Sequence, residues 1–266
     1  MLVSIFNRAR LLDKLGVNMN PSSDQIQNSL QTVAQIRQLR INNLPLAAAN
    51  AAIKRFQALR FQATYPDLLK SPRYQLATRF FLDELYGDKD YANRDQQFAR
   101  ISGAIAKLFP QSVVDTAAAL AGVHALTEQL DNAMAYQFLA LSESEFNAGN
   151  TARYVACWRL VADKAERLHQ LEVVLALGHS LNGLTRKPGL RTLLKMMRAP
   201  AYAGGLASLQ KFLETGFDAF QNMRGADEFL RLIAQREADW IQRLFEDDAV
   251  ACETRLEALL SADRPI

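Results

Sequence analysis

The sequence predicts an all-α protein, a multi-helix bundle that forms one large domain or two closely packed helical bundles. Apolar residues recur at helical spacing along nearly the whole chain. No stretch shows sustained alternation of apolar and polar residues between turn signals, which a strand would require. The length of 266 residues, with 49% hydrophobic and 22% charged residues, is typical of a globular chain.

Turn-forming and polar residues divide the chain into three parts. Residues 1–21 form an N-terminal segment, residues 22–141 an N-terminal helical part, and residues 151–266 a C-terminal helical part that shares its core. The polar segment Ser142–Asn150 is the linker candidate. No period of 20 to 50 residues repeats, which disfavours a solenoid.

In the N-terminal part, the first helical region runs from Asp24 to Thr64. Asn42, Asn43 and Pro45 favour a break within it over a bend. The later helices follow from their start and stop signals. They are Tyr74–Tyr86 ending at Gly87, a helix from Asp90 or Asn93 to Pro110, and a long helix to Leu141 opened by a Ser112/Asp115 capping box.

The C-terminal part begins with one helix from Thr151 to Leu184, which Lys187-Pro188-Gly189 ends. A short helix, Leu190–Arg198, is expected to stop before Pro200. Two further helical regions follow: Gly205–Met223, and Ala226–Leu260 as one helix or as two interrupted near Asp247-Asp248.

Composition indicates a cytoplasmic protein. Cys157 and Cys252 lie far apart in helical patterns, so neither a disulfide framework nor a cysteine zinc site is expected. The N-terminus lacks the long apolar run and cleavage site of a signal peptide. The longest uncharged stretch, Val173–Thr185, is too short to span a membrane.

Arg79–Ile101 combines paired aromatics, five acids and three arginines around a glycine-marked helix break, and it offers a candidate polar cleft. Arginine binds carboxylates and phosphates through two parallel hydrogen bonds. The cleft would consist of Arg79, Arg94, Asp95 and Arg100. The alternative is structural: Phe80 and Phe81 fall on the core side, and the acids cluster at a helix start, where they satisfy free N–H groups.

A second candidate is a basic amphipathic helix. Arg191, Lys195 and Arg198 share one face at positions i, i+4 and i+7, inside a stretch from Val173 to Leu213 that contains no acid. Such a face can bind an anionic partner or a membrane surface, or it is a solvated face whose opposite side closes the bundle. A helix of about nine residues is too short to hold a membrane alone, which favours the solvated face.

Metal and cofactor signals are weak, and we expect neither. Glu166 and His169 have the spacing of a di-iron ligand pair, but such a site needs a second pair, and neither other histidine has Glu three residues before it. A sequence pI near 8.9, with no recognisable binding motif, makes nucleic acid an unlikely partner. Hydrolase and nucleotide-binding motifs are absent.

Three stretches resemble an uncharacterised family of helical bacterial proteins. They are Pro72–Ile101 with FFLDELYG and RD, Tyr154–Gly178, and Lys195–Glu237 with MMRAPA and LQKFLETGFDAF. The resemblance implies a bacterial, cytoplasmic protein and transfers no activity, ligand or functional residue.

We therefore expect a non-enzymatic binding or interaction protein whose partner is a protein or a small anionic ligand. The alternative is a bundle with a buried pocket that binds or transforms a small anionic or amphipathic molecule, such as a lipid or a tetrapyrrole. A cavity of several hundred Å³ with convergent polar groups would favour the alternative. The oligomeric state does not follow from the sequence.

Overall fold

The computed structural model describes residues 23–84, 91–141 and 150–262, and within these ranges the chain forms α-helices and no strand. This confirms the predicted all-α bundle. The helices are α1 (Ser23–Ile41), α2 (Leu44–Thr64), α3 (Pro66–Lys70), α4 (Gln75–Glu84), α5 (Ala92–Leu108), α6 (Gln111–Ala140), α7 (Asn150–Val161), α8 (Lys164–Thr185), α9 (Leu190–Met196), α10 (Arg198–Ala203), α11 (Ala207–Asn222), α12 (Asp227–Glu246) and α13 (Ala249–Ala262).

Helix α6 is the axis of the bundle. It is 30 residues long and packs against α1, α2, α7 and α8. Its N-terminal half joins a cluster rich in phenylalanine, which we call the phenylalanine cluster, with Phe80, Phe81, Phe98, Phe212, Phe220 and Phe229. Its C-terminal half joins the tryptophan cluster, which contains Trp158 and Trp240. Each cluster takes residues from both sides of residues 142–149.

The break between α1 and α2 confirms the prediction from Asn43 and Pro45. The Asn43 side chain accepts a hydrogen bond from the Leu46 backbone N–H, which satisfies a donor in the first turn of α2. Pro45 lies in that first turn, where its missing N–H costs nothing.

The prediction of one helix from Thr151 to Leu184 is wrong, because the chain breaks between α7 and α8. Asp163 accepts a hydrogen bond from the Glu166 N–H, and the Glu166 side chain accepts one from the Asp163 N–H. This capping box starts a new helix. It also gives Glu166 a structural role instead of a ligand role.

The expected capping box at Ser112 is also wrong. Helix α6 begins at Gln111, so its N-cap is Pro110, two residues before Ser112, and no side chain caps it. The Ser112 hydroxyl instead accepts a hydrogen bond from the Lys187 ammonium group, 2.5 Å away.

Pro200 does not stop the helical chain as predicted. The chain breaks earlier, at Met197, and Pro200 lies in the first turn of α10, where proline is tolerated. Farther on, the interrupted alternative is confirmed, since α12 and α13 are separate helices with Asp247-Asp248 between them. Arg224 and Gly225 make the turn before α12 with positive φ angles of 53° and 123°.

Three predictions fall outside the described residues: the N-terminal segment 1–21, the helix end at Gly87, and the linker Ser142–Asn150 except for Asn150, which is the first residue of α7. None of the helices that the structure describes has the length and apolarity needed to cross a membrane.

Candidate functional site

A cavity of about 260 Å³ lies inside the bundle, between α4, α5, α6, α8 and α11, with α9 and α10 along one side. Most of its wall is apolar, and it includes Phe80, Phe98, Leu120, Leu177, Phe212 and Phe220. An apolar cavity of about 150 Å³ already accommodates benzene, and ligand pockets commonly start near 300 Å³. The space is therefore large enough for a small organic molecule.

One end of the cavity is charged. Helix α6 presents His124, Glu128 and Asp131 at positions i, i+4 and i+7, so that the three side chains lie along one helical face. Asp95, in the first turn of α5, joins them at the cavity wall. The arrangement gives a mostly apolar chamber one polar end.

Asp95 is buried among three cationic or ionisable partners. Arg37 Nη2 donates a hydrogen bond to its Oδ2 over 2.8 Å, His124 Nε2 lies 3.0 Å from the same oxygen, and Arg94 Nε lies 3.6 Å from Oδ1. Burial alone would raise the pKa of Asp95, but these partners outweigh it and hold the pKa below its usual value. Asp95 is therefore an anion that orients His124.

Glu128 is also buried and carries two cations. Lys54 and Arg40 each form an ion pair with one of its carboxylate oxygens. Burial opposes ionisation, but the charges and hydrogen bonds of Lys54 and Arg40 dominate and lower the pKa of Glu128 to about 2. The carboxylate joins α6 to both α1 and α2.

Asp131 differs from the other two carboxyl groups. Its Oδ1 accepts a hydrogen bond from Gln57 Nε2 over 3.0 Å, and no described Lys or Arg nitrogen lies at ion-pair distance from it. Burial raises the pKa of Asp131, and the nearby negative charge of Glu128 adds to this effect. Asp131 is thus the carboxyl group at this end with hydrogen-bonding capacity to spare.

The structure brings together two of the four residues of the predicted polar cleft. Arg94 and Asp95 line the cavity, where the Arg94 guanidinium also stacks on Tyr91 and Phe212 at 4.2 and 4.5 Å. Arg79 is exposed elsewhere on α4. Arg100 is exposed and donates to the Gly204 and Gly205 carbonyl oxygens, beyond the end of α10.

Sequence reasoning missed the α6 residues, although a signal exists. Between Ser112 and Leu141 the only charged residues are Asp115, Glu128 and Asp131. Two of these share a face with His124 in an otherwise apolar or neutral helix. Buried charges are rare and usually paired. The grouping of Glu128 and Asp131 with His124 on one face of this helix therefore marks a polar site inside the fold.

The basic row of the second candidate faces α11. Arg191 Nη2 lies 2.7 Å from Asp218 Oδ2, and both Arg198 Nε and Nη2 donate to the Glu214 carboxylate at 3.0 and 2.5 Å. Lys195 is exposed between them. Two of the three residues therefore hold α9 and α10 against α11.

The helix that carries Glu166 and His169 does not form the metal site weighed above. His169 lies on the surface, with its Nδ1 3.6 Å from Glu172. Among the described residues, no group of three or more His, Cys, Asp or Glu side chains is placed to hold a metal ion.

The fold and the cavity define an all-α protein with a mostly apolar pocket between its helices that is charged at one end. The chain belongs to a family described as a domain of unknown function, DUF8198, which it matches over residues 36–251. This agrees with the resemblance to an uncharacterised family. No curated protein and no solved structure matches the chain.

Proposed function

We propose that this protein binds a small amphipathic molecule inside the cavity, with its apolar body between α4, α5 and α11 and its polar head at the α6 end. The observation that carries the proposal is the cavity itself: about 260 Å³ of mostly apolar space that ends at Asp95, His124, Glu128 and Asp131. The pocket alternative raised by the sequence is therefore favoured over an interaction protein without a pocket.

The apolar wall favours a ligand with a hydrophobic body. Each Å² of apolar surface removed from water contributes roughly 25 cal/mol. Aromatic side chains from α4 and α11 form much of the wall, and the Phe80 and Phe212 rings pack with their centroids 5.4 Å apart. Such rings offer rigid surface for a flat or branched apolar body.

The charged end favours a head group that donates hydrogen bonds. The Asp95 and Glu128 carboxylates already hold their cations, whereas Asp131 has one hydrogen-bond donor, Gln57. A hydroxyl or amine on the ligand would supply another. Lys54 and Arg94 also line this end, but they are already paired with Glu128 and Asp95, so an anionic head would have to compete with these carboxylates for the cations. We therefore favour a neutral or cationic amphipathic molecule over an anionic one.

The first test uses 1-aminoanthracene, a fluorescent probe with an apolar body and an amine donor. The purified protein should bind it saturably, with one probe per chain. Ala121→Leu should weaken binding at least about tenfold, because Ala121 lines the cavity and a larger side chain fills the space that the ligand needs. Ala117→Leu, at a second lining position, repeats the test. Ala48→Leu, on the exposed face of α2, is the matched control and should bind normally.

The second test addresses the head group. Asp131→Leu should weaken binding of 1-aminoanthracene more than binding of anthracene, which lacks the donor. Native mass spectrometry of the protein purified from bacterial cytosol should reveal a co-purified small molecule. An absence of saturable probe binding, or probe affinity unchanged in both filling variants, would contradict the cavity as the binding site.

A further inference from the structure

We propose that α9 and α10 form a lid over the cavity and dock on an anionic lipid bilayer surface, so that the ligand exchanges at that surface. This inference rests on the proposed function only for the identity of the site beneath the lid. The docking face is defined by Leu193, Met196, Tyr202 and Lys195, with Arg191 and Arg198 at its border.

The two short helices are apolar on both sides. Inside, Leu190, Leu194, Met197 and Ala201 line the cavity. Outside, Leu193, Met196 and Tyr202 are 40%, 71% and 56% exposed, within ten residues of chain. Single exposed apolar residues are ordinary, but a cluster of large ones on one segment marks a contact surface.

The charge of this region favours an anionic occupant, although Arg186, Arg191 and Arg198 also pair with acids of the fold. From Arg186 to Asp218 the chain carries six basic and two acidic residues, and no acid occurs between Val173 and Leu213. Lys195 projects from the exposed side of α9 and has no acidic partner among the described residues. Exposed aromatic and apolar side chains beside lysine and arginine are the composition of segments that lie in the interface of an anionic bilayer.

The contacts that hold the lid can respond to such a surface. Arg191 pairs with Asp218 and Arg198 pairs with Glu214, so the two arginines attach α9 and α10 to α11. The Arg198 side chain in this ion pair is exposed. Lipid phosphates accept bidentate hydrogen bonds from guanidinium groups and so compete with these carboxylates. Docking should therefore loosen the lid at the place where the cavity is covered.

The experiment is sedimentation with two kinds of vesicle: phosphatidylcholine alone, and phosphatidylcholine mixed with phosphatidylglycerol. The protein should bind the mixed vesicles, bind phosphatidylcholine weakly, and lose binding as salt rises, because exposed charges are screened. The double variant Met196→Ser/Tyr202→Ser should reduce binding at least about fivefold, since it removes buried apolar area. Lys195→Glu, which leaves the apolar face intact, should reduce it as well.

Matched controls change equally exposed residues elsewhere. Leu44→Ser/Val250→Ser removes two apolar side chains that are 77% and 68% exposed, and Lys70→Glu reverses an exposed charge on α3. Both controls should bind mixed vesicles like the unchanged protein. Equal binding to both vesicle types, or equal losses in lid and control variants, would overturn the proposal.

A kinetic arm separates the lid from the cavity. Mixed vesicles should speed the release of prebound 1-aminoanthracene from the unchanged protein and not from Met196→Ser/Tyr202→Ser. Normal probe binding without vesicle binding would sink the docking proposal and leave the proposed function standing. Vesicle binding that leaves probe release unchanged would overturn the lid.

Discussion

Two buried carboxyl groups on neighbouring turns of α6 have pKa values shifted in opposite directions because their partners differ. Glu128 holds Lys54 and Arg40, whereas Asp131 holds only the neutral amide of Gln57. Desolvation disfavours the anion at both positions, and only at Glu128 is it outweighed. One residue therefore fastens three helices together, and the other is left to interact with whatever enters the cavity.

Glu128→Gln should lower the free energy of unfolding at pH 7 by about 3 kcal/mol, because it leaves Lys54 and Arg40 without their buried counter-charge. The pKa of Glu128 is depressed in the fold, so its contribution is present above its ordinary pKa and lost as the pH falls towards about 2. The difference between the unchanged protein and the variant, measured by denaturant unfolding, should shrink over that interval.

Two comparisons control this prediction. Glu172→Gln, at an exposed position, should change stability by less than about 0.5 kcal/mol. Asp131→Asn should give the opposite sign at neutral pH, because the raised pKa means that ionising Asp131 in the fold costs free energy. A Glu128→Gln loss that is independent of pH would contradict the ion-pair explanation.

Helix ends and helix crossings are set by single side chains. Asp163 and Glu166 start α8 by pairing with each other's backbone N–H groups, whereas Ser112 starts nothing although its spacing to Asp115 is similar. The difference is whether the side chain lies at the residue where the chain turns. Capping is therefore a property of the local backbone as well as of the residue type.

Asp163→Ala should reduce the free energy of unfolding by about 0.5 to 2 kcal/mol, since the Glu166 N–H at the start of α8 loses the Asp163 carboxylate that caps it. Ser112→Ala is the matched control and should cost less than about 0.5 kcal/mol, because its hydroxyl caps no helix. Chemical denaturation of both variants checks the prediction. Equal losses would mean that Ser112 caps α6 in solution.

Gly216→Ala tests the close approach of α11 to α4. A Cβ at this position would lie 2.8 Å from Phe80 Cζ, so one helix or the ring must move. We expect a loss of about 1 to 3 kcal/mol in unfolding free energy. Gly103→Ala in α5 is the control: a Cβ there meets nothing within 4 Å, and the substitution should stabilise the protein by about 0.5 to 1 kcal/mol. If Gly216→Ala left the free energy of unfolding unchanged, α4 and α11 would pack more loosely than the structure shows.

At the scale of the molecule, α6 runs through both apolar clusters. The cavity lies beside the phenylalanine cluster, and the two tryptophans of the chain lie in the other cluster. Both clusters combine residues from the N-terminal and C-terminal parts. Each part therefore packs apolar side chains against the other in both clusters.

Thermal unfolding should therefore show one transition. Tryptophan fluorescence reports the tryptophan cluster and far-ultraviolet circular dichroism reports all helices, so the two midpoints should coincide. Saturation with 1-aminoanthracene, which should bind in the phenylalanine cluster, should raise both midpoints by a few degrees, by about 2 to 4 °C per kcal/mol of binding energy. Two separate transitions, with only one moved by the probe, would indicate independent domains.

Local chemistry by itself determined the helical class, the break at Asn43 and Pro45, and the core position of Phe80 and Phe81. These features follow from residue spacing and backbone preference within a few positions of chain, which a sequence displays directly. The start of α8 was also encoded locally, in Asp163 and Glu166, although the continuous apolar pattern concealed it.

Only the tertiary structure decided what the charged residues do. Arg94 and Asp95 could be singled out, but not that they meet His124 and Glu128 of α6 at one end of a cavity. Arg191 and Arg198 could be placed on one face, but not opposite Asp218 and Glu214. The physical reason is that helical periodicity fixes which side of a helix is apolar and leaves open which helix it meets. Charge pairing and cavity shape arise only when helices distant in the chain are packed together.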